Sequence, residues 1–440
     1  MAEQLTYEML KDAVGGHAAG LRVRSKLQPA GGPGTKVFPP TYSGAVYAVE
    51  KRRVEGKDEP VQCVLLDSVQ SQANRMEEAL QDALDRGRLG EAGLPTIEVD
   101  FDPYWPGEDQ DESMRLLDRV GRITSLEAPH RIADAILRDS LLEGKPFRDS
   151  GVGERIGRGH ARAATALFEY CPTALLFGMW DSTGPKGGLG AKIERAIVGE
   201  VVGIDAVFGV KTSSRIDPLG IRLEAGPVYE AKAGGPLPWT LDEESARTSK
   251  NKPVPIGKKG GKPSEINHGN VTPSLSDKDR DSGEYLAGGA TIDHAEHSVV
   301  ISLAALRRLR FPVEGEDWRP RDPEQHARDD AARAVLAAMG LLAATMASAG
   351  GMDLRSRCLL WPEESPEWEL LEGPGGPRPN AVDIETALRV YEQAVAEAES
   401  LGLAWRRDPL VLEPSDQLVK LVAKSQELAA QEGAGDEGGE

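Results

Sequence analysis

The stretch LRVRSKLQP at residues 21–29 alternates between apolar or small side chains and polar, mainly basic ones. Successive side chains of a strand point to opposite faces, so a period of two predicts a β-strand with one apolar face and one basic face. The basic face carries Arg22, Arg24 and Lys26. We expect these three side chains to contact phosphate groups rather than bases.

Strands and helices alternate in the sequence around this strand. The helix signal is strongest over 69–84, where apolar side chains recur on one face. Other helices are predicted over 128–142, 158–170, 327–350 and 381–402, and strands over 45–52, 61–68, 173–180 and 291–303. This mixture indicates an α/β or α+β fold, and a β-α-β-β-α-β sheet with large insertions accommodates it.

The composition is that of a soluble globular protein, with 40% hydrophobic and 28% charged residues in 440. No apolar run reaches the roughly 20 residues that a membrane span needs. The first residues lack a basic start followed by an apolar core, so the sequence predicts no secretory signal. Three scattered cysteines provide no disulfide framework. We expect a cytoplasmic protein that is not associated with a membrane.

The net charge of −19 argues against nucleic-acid binding, but the charges are segregated. Residues 13–49, which include Lys36, and residues 245–264 contain basic side chains and no acidic ones. Electrostatic fields act over about one Debye length, roughly 8 Å at physiological salt. Basic patches can therefore bind a polyanion on a protein that is acidic overall.

The segment WDSTGPKGGLGAK at 180–192 combines glycines with two lysines after an apolar run. Bare backbone N–H groups and ammonium groups suit a phosphate chain. The spacing matches neither the nucleotide P-loop nor the G-x-G-x-x-G pattern. The alternative is an ordinary glycine-rich turn. The candidate phosphate contacts in this segment are Gly184, Lys186, Gly187, Gly188 and Lys192.

Residues 226–284 form a second unusual segment, long and rich in proline and glycine. Its centre, KPSEINHGNVTPS at 262–274, places hydrogen-bond donors beside small apolar side chains. A stiff projection with a basic rim suits contact with a single strand, although many such loops are simply solvated. The candidate contacts are Lys262, Asn267, His268 and Asn270.

The sequence offers weak support for metal binding or catalysis. The cluster DHAEH at 293–297 resembles a ligand set, but His294 and His297 would point to opposite faces of a strand. We expect surface histidines and no metal site. Asp181 stands where catalytic groups often lie, yet an aspartate there commonly caps a turn. We therefore assign no catalytic residue and no cofactor.

Several blocks of the chain resemble one protein family. The similarity runs from about residue 17 to 312, and it looks like the backbone RAMP subunit of type I-G (formerly I-U) CRISPR surveillance complexes, a branch of the Cas-seven family. The blocks are LRVRSKLQPAGGPGTKVFPPTYSGAVYAVE, LLDSVQSQANRMEEAL, LLFGMWDSTGPKGGLGAK, VKTSSRIDPLGI, KPSEINHGNVTPS and TIDHAEHSVVISLAALRRLRFP.

The resemblance implies a modified RRM or ferredoxin-like palm sheet in an α+β fold, with helical finger insertions and a projecting thumb loop. The palm would comprise 17–225 and 285–312, with a helical insertion around 85–170, and 226–284 would be the thumb. Residues 313–427 would complete the palm, and 428–440 would be a disordered acidic tail. The segment 180–192 would lie on the palm against the guide, and Trp180, Ser182, Lys211, Ser213 and Arg215 would also bind RNA.

The resemblance further implies a non-enzymatic subunit that polymerises along crRNA in a Cascade complex. Its partners would be the guide crRNA, the complementary target DNA strand, copies of itself in a helical filament, and the large and crRNA-capping subunits. Two alternatives stay open. One is a metal-dependent ribonuclease that uses Asp181 or an aspartate within 277–293, and the other is an enzyme acting on a small phosphometabolite.

Overall fold

The computed structural model describes residues 3–106, 111–184, 192–233, 237–258, 260–276, 288–313, 316, 318–373 and 376–436, with the backbone alone beyond residue 430. The chain divides into two compact units. The first comprises Met1–Pro103, Val120–Phe208 and Gly289–Leu418, and the second comprises Tyr104–Arg119, Gly209–Gly288 and Val419–Glu440. The architecture is mixed α+β, as the sequence predicts.

A large, mainly antiparallel sheet forms the centre of the first unit. The strand predicted over 21–29 is central in it, between strands from distant parts of the chain. The spatial order is β1 (Glu3–Gln4), β26 (Arg378–Ala381), β25 (Glu367–Leu371), β2 (Gly20–Pro29), β22 (His294–Ser302), β13 (Ile197–Ile204), β6 (Val61–Asp67) and β5 (Val49–Arg52). In addition, β24 (Leu359–Pro362) pairs with β2 and with β23 (Met352–Asp353).

Helices cover one face of this sheet. The helices of the described chain, in both units, are α1 (Tyr7–Gly15), α2 (Val69–Asp85), α3 (Ala135–Arg138), α4 (Gly151–Gly157), α5 (Thr165–Tyr170), α6 (Thr173–Leu176), α7 (Leu303–Leu306), α8 (Pro323–Ser348), α9 (Ile384–Ser400) and α10 (Asp416–Asp436). Helix α8 packs against α1, α2, α9 and β22, so it lies at the centre of the core of the first unit.

Helix α8 is the core helix because its sequence is apolar on every side. Residues 334–344 are all buried. The Asp322 carboxylate caps the helix by accepting from the backbone N–H groups of Glu324 and Gln325, at 3.0 and 3.3 Å. Of the helices described, α8 is long and apolar enough to cross a membrane, and 83% of its apolar window is buried inside the protein.

A smaller sheet in the first unit contains β10 (Lys145–Pro146), β9 (Ser140–Leu142), β27 (Leu410–Pro414), β7 (Ile97–Asp100) and β8 (Arg122–Thr124). The prediction of a helical insertion around 85–170 was therefore incomplete, because this segment supplies four of those strands. The helix predicted over 128–142 is limited to α3 and followed by β9. The helix predicted over 158–170 is limited to α5 and preceded by α4.

The strand predicted over 173–180 was wrong. Residues 173–176 form α6, which packs against α8, and only β11 (Met179–Trp180) is extended. A short apolar run fits a buried helix as well as a buried strand, and periodicity alone does not separate them. The remaining short strands of this unit pair as β3 (Thr41–Tyr42) with β4 (Val46–Tyr47), β11 with β12 (Lys192–Ile193), and β14 (Val207–Phe208) with β21 (Ala290–Thr291).

The second unit contains small two-stranded ribbons, and all of their strands except β15 (Lys211–Arg215) lie in the segment 226–284 where the sequence predicted a long loop. They pair β15 with β20 (Val271–Ser276), β16 (Tyr229–Glu230) with β17 (Trp239–Thr240), and β18 (Thr248–Ser249) with β19 (Lys252–Pro253). Val228, Ile256 and Ile266 form a small core against Trp239. Helix α10 continues to Asp436, so the disorder predicted from 428 does not begin there.

Candidate nucleic-acid interface

The open face of the main sheet carries the basic residues that the sequence singled out. Leu21, Val23 and Leu27 of β2 are buried against the helices, so the intervening side chains point outward. Each basic side chain forms an ion pair with a glutamate: Arg22 with Glu369 at 2.7 Å, Arg24 with Glu296 at 3.0 Å, and Lys26 with Glu363 at 3.7 Å. The glutamates come from β22, β25 and the turn after β24.

A shallow groove of about 870 Å³ runs along this face. Its described lining contains three basic side chains and six glutamates, Glu55, Glu296, Glu363, Glu364, Glu367 and Glu369. The alternation of β2 correctly predicted an outward basic row, but partners distant in sequence surround that row with acid. The phosphate contacts of Arg22, Arg24 and Lys26 stay a prediction, and the surrounding charge weighs against them.

A second groove, of about 850 Å³, lies beside the β11–β12 hairpin of the same unit. Trp180 lies opposite Lys192 in this ribbon, and Met179 lies opposite Ile193. Directly opposed side chains share a face of an antiparallel pair. Ile193 is buried, whereas Trp180 is 61% exposed. The hairpin therefore presents an indole and an ammonium group side by side.

The lining of this hairpin groove is basic. Among the described residues, its charged side chains are Arg131, Arg138, Lys192 and Arg195, with Glu194 as the acid. Glu194 forms an ion pair with Arg308, and Arg138 pairs with Asp139 at 2.7 Å. Lys192 forms no ion pair within the part of the chain that the structure describes. Lys192 is exposed, so its ammonium group can contact an anionic ligand from the solvent.

Gly178 sets the path of the chain into the hairpin. Its φ of +84° is in the left-handed region that favours glycine. A Cβ at this position would lie 3.0 Å from the Arg195 backbone nitrogen and 3.1 Å from the Ile193 oxygen. Arg195 Nε donates to the Phe177 carbonyl at 3.1 Å, and the Ala196 N–H donates to the Leu176 carbonyl at 2.8 Å. These contacts join the two ends of the hairpin.

Asp181 caps the turn that follows Trp180, which is the role favoured from the sequence. Its carboxylate accepts from the Thr183 backbone N–H at 3.1 Å and pairs with Arg148 at 2.9 Å. Ser182 is exposed, and Gly184 packs so closely on the Asp181 carboxylate that a Cβ would lie 2.8 Å from it. The candidates Lys186, Gly187 and Gly188 lie outside the described residues.

Lys36 lies elsewhere in the first unit. Its aliphatic stem packs on Gly289, where a Cβ would lie 2.6 Å from the lysine Cδ. The neighbouring Val37 exchanges backbone hydrogen bonds with Ala290, both at 2.8 Å. Lys36 therefore has its stem held against backbone. It does not line either of the two grooves.

Lys211, Ser213 and Arg215 lie together on the β15–β20 ribbon of the second unit. Both strands of the ribbon are largely exposed, and the hydroxyls of Ser213 and Ser274 are 2.7 Å apart. The pairing is irregular between Ser213 and Arg215. The ribbon presents small hydroxyl groups and basic side chains close together, a pattern that suits the backbone of a nucleic acid.

Of the four candidates in 262–270, two are exposed to solvent and two have side chains that contact other residues of the second unit. Lys262 and Asn267 are exposed, and Asn267 adopts a left-handed conformation with φ of +56°. The His268 ring packs edge-on against Trp239 at 6.2 Å. The Asn270 side-chain oxygen accepts from the Asp217 N–H at 2.7 Å, which ties it to its own unit.

The described residues contain no group of three or more histidine, cysteine, aspartate or glutamate side chains that could hold a metal ion. His294 and His297 lie on opposite faces of β22, as predicted. His297 is buried, however, not on the surface. Its Nε2 lies 3.1 Å from the Gln72 side-chain oxygen, and burial lowers the pKa of its imidazole to about 4. His297 is therefore a neutral core residue.

Sequence reasoning missed Arg131, Arg138 and Arg195 as parts of the hairpin groove. Arg195 follows the glycine segment closely, and that proximity is a signal that could have identified it. Arg131 and Arg138 belong to a segment we predicted as a long helix. No local pattern connects them with residues 180–192, because only the tertiary fold brings them to the hairpin.

Residues 21–208 match the model of a protein family described as CRISPR-associated protein GSU0053 (Cas_GSU0053). The match supports a Cas protein. The matched range contains β2 from its second residue onward, α2, the hairpin and the described lining of its groove. It ends at Phe208, where the 120–208 segment of the first unit also ends. No curated protein was found that matches this sequence.

Proposed function

We propose that this protein is a CRISPR-associated, non-enzymatic subunit that binds guide RNA through the hairpin groove. The observation that carries the proposal is the pairing of exposed Trp180 with Lys192 above a basic lining. An indole stacks on any base, and base–aromatic stacking contributes about 1–3 kcal/mol per base. An ammonium group beside it can neutralise a phosphate of the same strand.

The finer assignment rests on the resemblance of the sequence blocks. In this proposal the protein is the backbone RAMP subunit of a type I-G Cascade, and copies polymerise along crRNA as a filament. The guide would be presented to a complementary DNA strand, alongside the large and crRNA-capping subunits. The β15–β20 ribbon supports contact with nucleic acid outside the groove, because Lys211 and Arg215 accompany its exposed hydroxyls.

The alternative of a metal-dependent ribonuclease has less support. The Asp181 carboxylate already accepts a hydrogen bond from the Thr183 backbone N–H and forms an ion pair with Arg148. Much of 277–293 lies outside the described residues. For the metabolite enzyme, the hairpin groove is open and carries its exposed indole at the surface. A stacking platform fits a strand better than it fits an enclosed small molecule.

The proposal is tested by co-purification and by binding. The protein should purify with RNA of discrete length, visible on a denaturing gel. Trp180→Ala combined with Lys192→Glu should remove most of that RNA, whereas the charge swap Arg24→Glu with Glu296→Arg should retain it. A pure protein without RNA, whose affinity for single-stranded RNA is unchanged in the Trp180/Lys192 variant, would refute the proposal. Metal-dependent cleavage abolished by Asp181→Ala would support the ribonuclease.

A further inference from the structure

A buried ion pair lies beneath the hairpin groove. Glu77 on α2 is only 2% exposed, and Arg131 is 8% exposed. The Arg131 guanidinium donates to both carboxylate oxygens of Glu77, at 2.5 and 2.6 Å. Burial raises the pKa of Glu77, and the bidentate Arg131 guanidinium opposes that rise. A buried ion pair is weak support for stability, because replacing both partners by apolar groups is often neutral.

The same guanidinium reaches the base of the hairpin. Arg131 Nη1 donates to the Gly178 carbonyl at 3.2 Å, and the guanidinium carbon lies 5.4 Å from the centre of the Phe177 ring. Arg195 holds the adjacent Phe177 carbonyl. Two arginines thus orient successive peptide groups directly before Met179 and Trp180. Glu77 fixes the orientation of one of these arginines.

We propose that Glu77 is a positioning residue for nucleic-acid binding, which acts through Arg131 and the Gly178 carbonyl to hold Trp180 and Lys192 in their binding geometry. This inference rests on the proposed function of the groove. Glu77 is buried and does not line the groove, so any effect on binding is transmitted through Arg131. A bidentate pair suits this role because its two parallel hydrogen bonds fix the plane of the guanidinium.

A purely electrostatic effect and a positioning role predict opposite changes in RNA affinity for Glu77→Gln, so this variant distinguishes the two. Glu77→Gln removes a negative charge from beneath a basic groove, so simple electrostatics predicts tighter RNA binding. A positioning role predicts weaker binding. We expect a loss of roughly tenfold, by analogy with the loss of about 10- to 100-fold when a group that orients a metal ligand is removed. Glu200→Gln is the matched control, because Glu200 pairs with Arg52 at 2.6 Å on the main sheet.

A second variant separates a loss of positioning from a loss of folding. Glu77→Leu with Arg131→Met removes the pair without changing the net charge and leaves no unpaired buried ion. It should unfold near the wild-type temperature while losing roughly tenfold in affinity, as estimated for the single variant. Affinity is measured by fluorescence anisotropy with a labelled single-stranded RNA. Acrylamide quenching, taken as the difference from Trp180→Phe, should report a changed exposure of Trp180.

The outcomes separate this inference from the proposed function. If Trp180→Ala weakens RNA binding but both Glu77 variants bind as tightly as wild type, the positioning role is overturned and the groove stands. Tighter binding by Glu77→Gln would also overturn it in favour of plain electrostatics. If Trp180→Ala has no effect, the groove itself is not the RNA site.

Discussion

The open sheet face and the hairpin groove belong to the same unit and have similar volumes, but their charges differ. On the sheet face, three basic side chains are accompanied by six glutamates. In the hairpin groove, four basic side chains are described with one glutamate, and an exposed tryptophan stands beside them. A local run of basic residues thus does not define a basic surface, because neighbouring strands decide the net charge around it.

The largest expected effect concerns the tryptophans. Trp361 on β24 is 58% exposed, almost as much as Trp180, but it lies on the main sheet. Trp180→Ala should weaken single-stranded RNA binding by about 1–3 kcal/mol, which is roughly 5- to 150-fold, through lost stacking. Trp361→Ala should leave the affinity unchanged. Equal losses in anisotropy titrations would remove the distinction between the two surfaces.

The next largest effect concerns the main sheet alone, whose stability should depend on pH through the buried His297. Its folded-state pKa of about 4 lies below the ordinary value of 6.5. The neutral imidazole therefore contributes stability that is present above pH 6.5 and is lost as the pH falls towards 4. At about pH 5 the loss should be about 2 kcal/mol in the free energy of unfolding.

The measurement is urea unfolding of wild type and His297→Gln at about pH 7.5 and about pH 5. The difference between the two proteins should shrink at the lower pH, since only the wild type has this imidazole to protonate. A difference that stays constant with pH would show that His297 is not held neutral in the folded protein.

Charge reversal on the hairpin should change the salt dependence of binding. Lys192 forms no ion pair among the described residues, so Lys192→Glu should remove a phosphate contact. The slope of log affinity against log salt should become less steep by about 0.7 for a single strand. Lys51→Glu, at an exposed position on β5, is the matched control. An unchanged slope for Lys192→Glu would place the phosphate contacts elsewhere.

The smallest effect is expected for the sheet-face ion pairs. Arg24→Glu should lower the free energy of unfolding by less than about 1 kcal/mol, because exposed pairs contribute little. Adding Glu296→Arg should restore it. We expect RNA affinity and its salt dependence to remain at wild-type values in both. A clear fall in either, without unfolding, would restore the phosphate role predicted from the sequence for Arg22, Arg24 and Lys26.

The sequence by itself determined those elements whose signal is local and repetitive. The alternation of 21–29 specified β2 and its inward apolar face, and the periodicity of 69–84 specified α2. The long apolar pattern of 327–350 predicted a helix, and α8 is that helix. Lys192, at the end of the glycine segment, was also a candidate from composition and spacing, whereas Trp180 was a candidate only through the family resemblance.

Only the tertiary structure decided what surrounds these elements. Glu296, Glu363 and Glu369 neutralise the basic row of β2 although they lie more than 260 residues away in the chain. Arg131 and Arg138 become part of the hairpin groove through the packing of a segment whose local pattern suggested a continuous helix. Residues 173–176 are helical and pack against α8. Periodicity reports which face of an element is buried, whereas charge balance and cavities depend on which distant elements meet there.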